Sequence, residues 1–196
     1  MKMNKRKGLL LTAAGIVLLA VAVGLLGFRI LTENRSNIRN KEAVEYLQQV
    51  LPGKEAGLKD GRANRAMASA AYDGRDYVAI LEIPAFGRAL PVSMSWDKKL
   101  VQTVPCRFTG NPYDGSLVIG GTPGSGQFDF ISLMDIGDEV TLTDMDGCVF
   151  RYKVKTVKHA KNALAETLTG GDCDLTLFAK QEKLGREYLL VRCVME

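Results

Sequence analysis

In Val149-Phe150-Arg151-Tyr152-Lys153-Val154-Lys155-Thr156-Val157, the apolar Phe150, Tyr152 and Val154 alternate with the cations Arg151, Lys153 and Lys155. A period of two marks a strand with one buried face and one wet face. Just upstream, Val140 and Leu142 repeat the pattern, and Asp146-Gly147 lies between the two runs. That dipeptide supplies the positive φ of a tight turn, so the stretch reads as a β-hairpin. Further out, Val78 and Ile80, with Ala79, Leu81 and Ile83, form a short apolar run closed by Pro84. Leu117-Val118-Ile119 enters the glycine-rich stretch Gly120 to Gly126, and Leu175-Thr176-Leu177-Phe178 and Tyr188 to Val194 add two more strands. Ser95–Val101 and Asn162–Leu168 read as short helical connections. Seven or eight short strands with few helices imply a mostly β domain, either a barrel or a sandwich, over residues 77–196.

The chain has 196 residues, of which 24% are charged and 46% hydrophobic. Such a composition excludes a wholly disordered, collagenous or coiled-coil protein. The net charge of +4 is unevenly placed: residues 1–76 carry 13 Lys and Arg against 7 Asp and Glu, residues 77–196 carry 13 against 15. The β domain is therefore slightly acidic, and no nucleic-acid partner is expected. Four dispersed cysteines do not make a disulfide-built miniprotein.

Gly8 to Phe28 is uncharged, with Thr12 its polar residue. As a helix it would extend about 32 Å, the thickness of a bilayer core. Lys2, Lys5, Arg6 and Lys7 precede it, which favours a cytoplasmic N-terminus and an exported remainder. The expected layout is a cytoplasmic basic tail (1–7), a transmembrane signal anchor (8–28), a helical or flexible extracellular linker (29–76) and the β domain (77–196). A cleaved signal peptide is the rival reading; it would change the anchoring and leave the compartment the same. Within the linker, Ala43, Leu47, Val50 and Leu51 recur at helical spacing. Asn37 or Ser36 could cap this exposed helix, and Pro52-Gly53 ends it. Gly53 to Asp76 reads as a tether.

The ordered motifs of the β region resemble the sortases, the membrane-anchored cysteine transpeptidases of Gram-positive bacteria. Tyr77-Val78-Ala79-Ile80-Leu81-Glu82-Ile83-Pro84, then Gly87 and Leu90-Pro91-Val92, is similar to the family's opening strands. Pro105-Cys106-Arg107-Phe108-Thr109-Gly110 and Leu117-Val118-Ile119-Gly120-Gly121 resemble the approach to its catalytic His. Ile136-Gly137-Asp138-Glu139-Val140 resembles the following barrel strand. Leu175-Thr176-Leu177-Phe178 and Val191-Arg192-Cys193 resemble the last two strands. The resemblance covers Tyr77 to Val194 and the N-terminal anchor, is nearest to class B-like or D-like members, and implies a closed sortase-like β-barrel.

A sortase works with a Cys that attacks the threonyl carbonyl of a sorting signal such as LPXTG, a His that serves as acid and base, and an Arg at the oxyanion. The resemblance puts Thr122 at the His position, Lys180 at the Cys position and Arg186 at the Arg position. Threonine exchanges no proton near neutrality, and a lysine at its ordinary value of about 10.4 is protonated and non-nucleophilic. A relocated dyad would have to use His159, the single histidine. Its best thiol candidate is Cys173, although the aspartates beside Cys173 push against ionisation. Cys106, Cys148 and Cys193 read as packing residues. No metal site is expected, since there is no Cys-x-x-Cys and one His makes no pair. Gly120 to Gly126 lacks the Gly-Lys-Ser/Thr ending of a phosphate loop, and Asp144 and Asp146 are explained by turn chemistry. Trp96, Phe128 and Phe130 could line a groove. No cofactor is expected.

These readings lead to a membrane-anchored extracellular sortase-like protein without transpeptidase activity. It would bind or regulate in cell-wall or pilus protein sorting, with sorting signals, pilins or an active sortase as partners. An active transpeptidase with displaced catalytic residues and a structural cell-envelope domain are the alternatives.

Overall fold

The computed structural model describes residues 5–57, 66–124, 126–161, 165–180 and 187–196. The chain divides into two compact units, Met1–Arg35 and Ser36–Glu196.

Helix α1 runs over Lys5–Val50 and stops just before Pro52-Gly53, as expected. It is continuous through Ser36 and Asn37, so neither residue caps a helix start there. From Ala13 to Phe28 the described side chains are exposed. No helix is long and apolar enough, among the described residues, to cross a membrane. This departs from the span expected at 8–28. The segment lies within the helix Lys5–Val50.

In the second unit ten strands form one sheet: β1 (Glu55–Ala56), β2 (Ala70–Tyr72), β3 (Arg75–Ile83), β4 (Arg88–Ser93), β5 (Cys106–Thr109), β6 (Leu117–Gly121), β7 (Glu139–Asp144), β8 (Cys148–Ala160), β9 (Leu175–Lys180) and β10 (Tyr188–Met195). The order is β1-β8-β10-β9-β6-β5-β4-β3-β2, and β7 bridges β3 to β8. This bridge closes β3 to β10 into a barrel and leaves β1 and β2 outside it. The β7–β8 hairpin turns at Asp146-Gly147, where Gly147 has φ +83°. Within β8 the expected alternation holds: Phe150, Tyr152 and Val154 are buried and Arg151, Lys153 and Lys155 are exposed. Leu100–Gln102 is a single 3₁₀ turn, and helix α2 spans Ala165–Thr169. These two fall on the expected helical connections, although Asn162, Lys161's neighbour, begins a stretch through 164 outside the described residues.

The barrel interior is packed by Val78, Leu81, Ile83, Ile119, Phe128, Leu142, Phe150, Tyr152, Leu177 and Val191, among others. A second cluster lies on the outer face of β3. There Tyr77 and Ile80 meet Ala43, Val44 and Leu47 of α1, with Val101, Val104 and Cys106. This corrects the expectation of an exposed helix in a linker over 29–76. The run Tyr77 to Ile83 is apolar on both faces, so its outer face needs a cover, and the last turns of α1 supply it. Asn40 fixes the contact through Nδ2, which donates to the Thr103 carbonyl at 3.0 Å. The tether expected at Gly53–Asp76 contains β1, paired in parallel with β8, and β2, paired with β3; residues 58–65 lie outside the described residues.

Candidate functional site

Strands β6 and β9 run parallel, with Leu117 opposite Leu175 and Gly121 opposite Ala179. The next residues along are Thr122 and Lys180. Parallel neighbours lie about 4.8 Å apart, so this register brings two positions 58 residues apart in sequence to the same end of the sheet. Both line one cleft of about 410 Å³, together with Trp96, Lys98, Val101, Gln102, Phe108, Gly121, Leu168, Phe178 and Tyr188. Arg186, the third expected member, lies outside the described residues.

The floor of the cleft is aromatic. Trp96 meets Phe108 edge-on at 5.1 Å and lies 5.5 Å from Phe178. Phe108 meets Phe178 edge-on at 5.7 Å, and Tyr188 follows at 6.4 Å from Phe178. Such offset and edge-to-face pairs satisfy the ring quadrupoles and hold the cluster in a fixed shape. Gly120 makes the arrangement possible, because a Cβ there would stand 2.5 Å from both the Trp96 and the Phe178 ring. On the same outer face Val118, Leu168, Phe178 and Leu190 form a small apolar cluster roofed by α2.

Thr122 is held through its backbone. Its N–H donates to Gln127 Oε1 at 3.4 Å, and its carbonyl accepts from the Phe128 N–H at 3.0 Å. Gln127 is fully buried and donates through Nε2 to the Val101 carbonyl at 3.3 Å. The Thr122 hydroxyl is itself buried without a hydrogen-bond partner. Lys180 is exposed at the end of β9. The expected groove aromatics separate: Trp96 lines the cleft, while Phe128 and Phe130 are buried in the barrel interior.

The relocated dyad is not brought together. His159 is exposed on β8 opposite Leu189, whereas Cys173 adjoins Asp174, whose N–H donates to the Cys193 carbonyl at 2.9 Å. The four steps from Leu189 to Cys193 along β10 amount to about 13 Å. Cys173 Sγ instead lies 3.5 Å from Thr176 Oγ1. Burial pushes the Cys106 thiol up to about 11 and the Cys193 thiol up to about 12, the latter with a smaller contribution from Cys173. Cys148 sits in the β7–β8 turn with its N–H on Asp144 Oδ1 at 2.9 Å. All four cysteines are free. Among the described residues no group of acidic, His or Cys side chains could hold a metal ion. Asp144, read from the sequence as a turn residue, is fully buried and accepts from Tyr113 Oη at 2.5 Å.

Three features of the site escaped sequence reasoning: the partnership of Phe108 with Phe178, the anchoring of Thr122 by Gln127, and the place of Lys98 on the rim. Phe108 and Phe178 lie on outward positions of their strands, and only strand pairing shows that those positions adjoin.

No family model matches the sequence, and no curated protein matches it. Solved structures do. Sortase A from Corynebacterium diphtheriae aligns with a TM-score of 0.56 at 18% identity, covering 84% of this chain and 92% of that one. Sortase C1 from Streptococcus suis gives 0.56 at 19%, covering 70% and 91%. Sortase C from Clostridium perfringens SM101 gives 0.54 at 22%, covering 62% and 70%. What these likenesses carry is the architecture, and this chain folds as the sortases do.

Proposed function

We propose that this chain is a sortase-like binding protein, without transpeptidase chemistry, that serves cell-wall or pilus protein sorting. The observation that carries the reading is the lining of the cleft at the ends of β6 and β9, which holds neither a sulfur nor an imidazole among the described residues. Thr122 and Lys180 stand where the resemblance expects His and Cys. A covalent route needs a nucleophile, and acid–base help is typically worth about 10²–10⁴-fold. The separation of His159 from Cys173 and the high values of the Cys106 and Cys193 thiols support the same reading.

In this reading the partners are sorting signals, pilins or an active sortase. The β domain works outside the cell, tethered by a membrane anchor at residues 8–28. The anchor is supported by the uncharged run Gly8 to Phe28 and the four cations before it. Placement near class B-like or D-like members rests on the sequence motifs; the solved structures named above are sortases A and C.

The test mixes the full chain in detergent with an LPXTG peptide and follows cleavage and thioester formation by mass spectrometry. Neither is expected. Turnover that disappears on Cys173→Ala or His159→Ala would overturn the reading in favour of an active transpeptidase with displaced residues.

A further inference from the structure

We propose that the cleft recognises the free carboxylate at the end of an apolar peptide, held between Lys98 and Lys180. The proposal rests on the peptide-binding reading above and names the chemistry of the peptide. The charged side chains among the described lining residues are these two lysines, both exposed at the rim of the aromatic floor. The nearest carboxylate in sequence, Asp97, is already used: its Oδ1 accepts the N–H groups of Lys99 and Leu100, each at 2.8 Å. These bonds hold its pKa below the ordinary carboxylate value. Asp97 therefore stays ionised and holds the turn at Lys99 and Leu100; among the described residues no ion pair joins it to Lys98 or Lys180.

The two ammonium groups can act together. A carboxylate has two oxygens to share. One can take the Lys180 ammonium and the other the Lys98 ammonium, and such charge-assisted bonds are roughly twice as strong as neutral ones. Substituting lysine for a thiol thus turns a place suited to attack on a carbonyl into one suited to holding a carboxylate. The aromatic floor accepts the apolar body behind it. A volume of about 410 Å³ suits a few residues of extended peptide and is too small for a folded partner.

Trp96 is the chain's single tryptophan and lies in the cleft, so its fluorescence reports occupancy. The full chain in detergent is titrated with the tetrapeptide Leu-Pro-Ala-Thr carrying a free C-terminal carboxylate, and with the same peptide amidated. The acid should bind at least about tenfold more tightly. In the exposed-site double variant Lys98→Gln/Lys180→Gln, the preference should shrink to within about twofold, with an unchanged far-ultraviolet circular dichroism spectrum. Equal binding of acid and amide, or a preference that survives in the double variant, overturns the carboxylate proposal and leaves peptide binding standing. No response of Trp96 to either peptide overturns both.

Discussion

Asp144 shows how much a single residue decides. It ends β7 with no solvent exposure, and its carboxylate is surrounded by donors. Oδ2 accepts from Tyr113 Oη at 2.5 Å, and Oδ1 accepts from the N–H groups of Asp146 at 3.0 Å and Cys148 at 2.9 Å. The bonds favour the charged form, but burial outweighs them and raises the pKa above the ordinary 3.8. The folded carboxyl therefore keeps its proton more tightly than the unfolded one. As pH rises from 3.8 through the raised folded value, the unfolded chain loses this proton first, and the contribution to stability falls. Asp144→Asn should remove that fall, seen in urea midpoints followed from the acid side to neutrality. Asp144→Ala should cost about 2 kcal/mol relative to Asp144→Asn, since it removes the buried acceptor of the Tyr113 hydroxyl and of two turn N–H groups.

The element that most alters the reading of the chain is the end of α1. Leu47 and Ala43 are fully buried against the outer face of β3, while Ile38, on the same helix, is 57% exposed. If these turns are part of the β domain's packing, Leu47→Ala should destabilise by about 2–5 kcal/mol and Ile38→Ala by less than about 0.5 kcal/mol. Denaturant unfolding of the full chain measures both. Equal, small effects would mean that the helix is a spacer after all.

Packing of the barrel interior, together with the cover that α1 lays on the outer face of β3, sets the chemistry of this unit, because it removes ionisable hydroxyls and thiols from water. Burial raises Cys106 to about 11, Cys193 to about 12, and Tyr77, Tyr113 and Tyr152 above their ordinary 10.0. Each of these acids ionises in the unfolded chain before it ionises in the fold. The folded state then binds more protons, so stability is lost as pH rises above the ordinary thiol value of 9.0 towards about 12. Thermal scans should show a Tm that falls steeply over that alkaline range. In the native protein at mildly alkaline pH, a thiol reagent should label the half-buried Cys148 and Cys173 and spare the buried Cys106 and Cys193 until denaturant is added.

The strands were legible in the sequence because their signals are local. Alternation in Phe150, Tyr152 and Val154, the Asp146-Gly147 turn, and the ordered motifs from Tyr77 to Val194 need no distant partner to be read. Thr122 and Lys180 were singled out by the resemblance, each following a recognisable strand motif; that both line one cleft depends on the pairing of β6 with β9. The cover that α1 places on β3 was not legible, since a helix with Ala43 and Leu47 on one face reads alike whether that face meets a sheet or a tether. Nor were the aromatic floor and the distance from His159 to Cys173, which depend on which strands are neighbours. Chain-local periodicity determined the elements; pairing between residues far apart in the chain, through β6 with β9 and β8 with β10, decided the site.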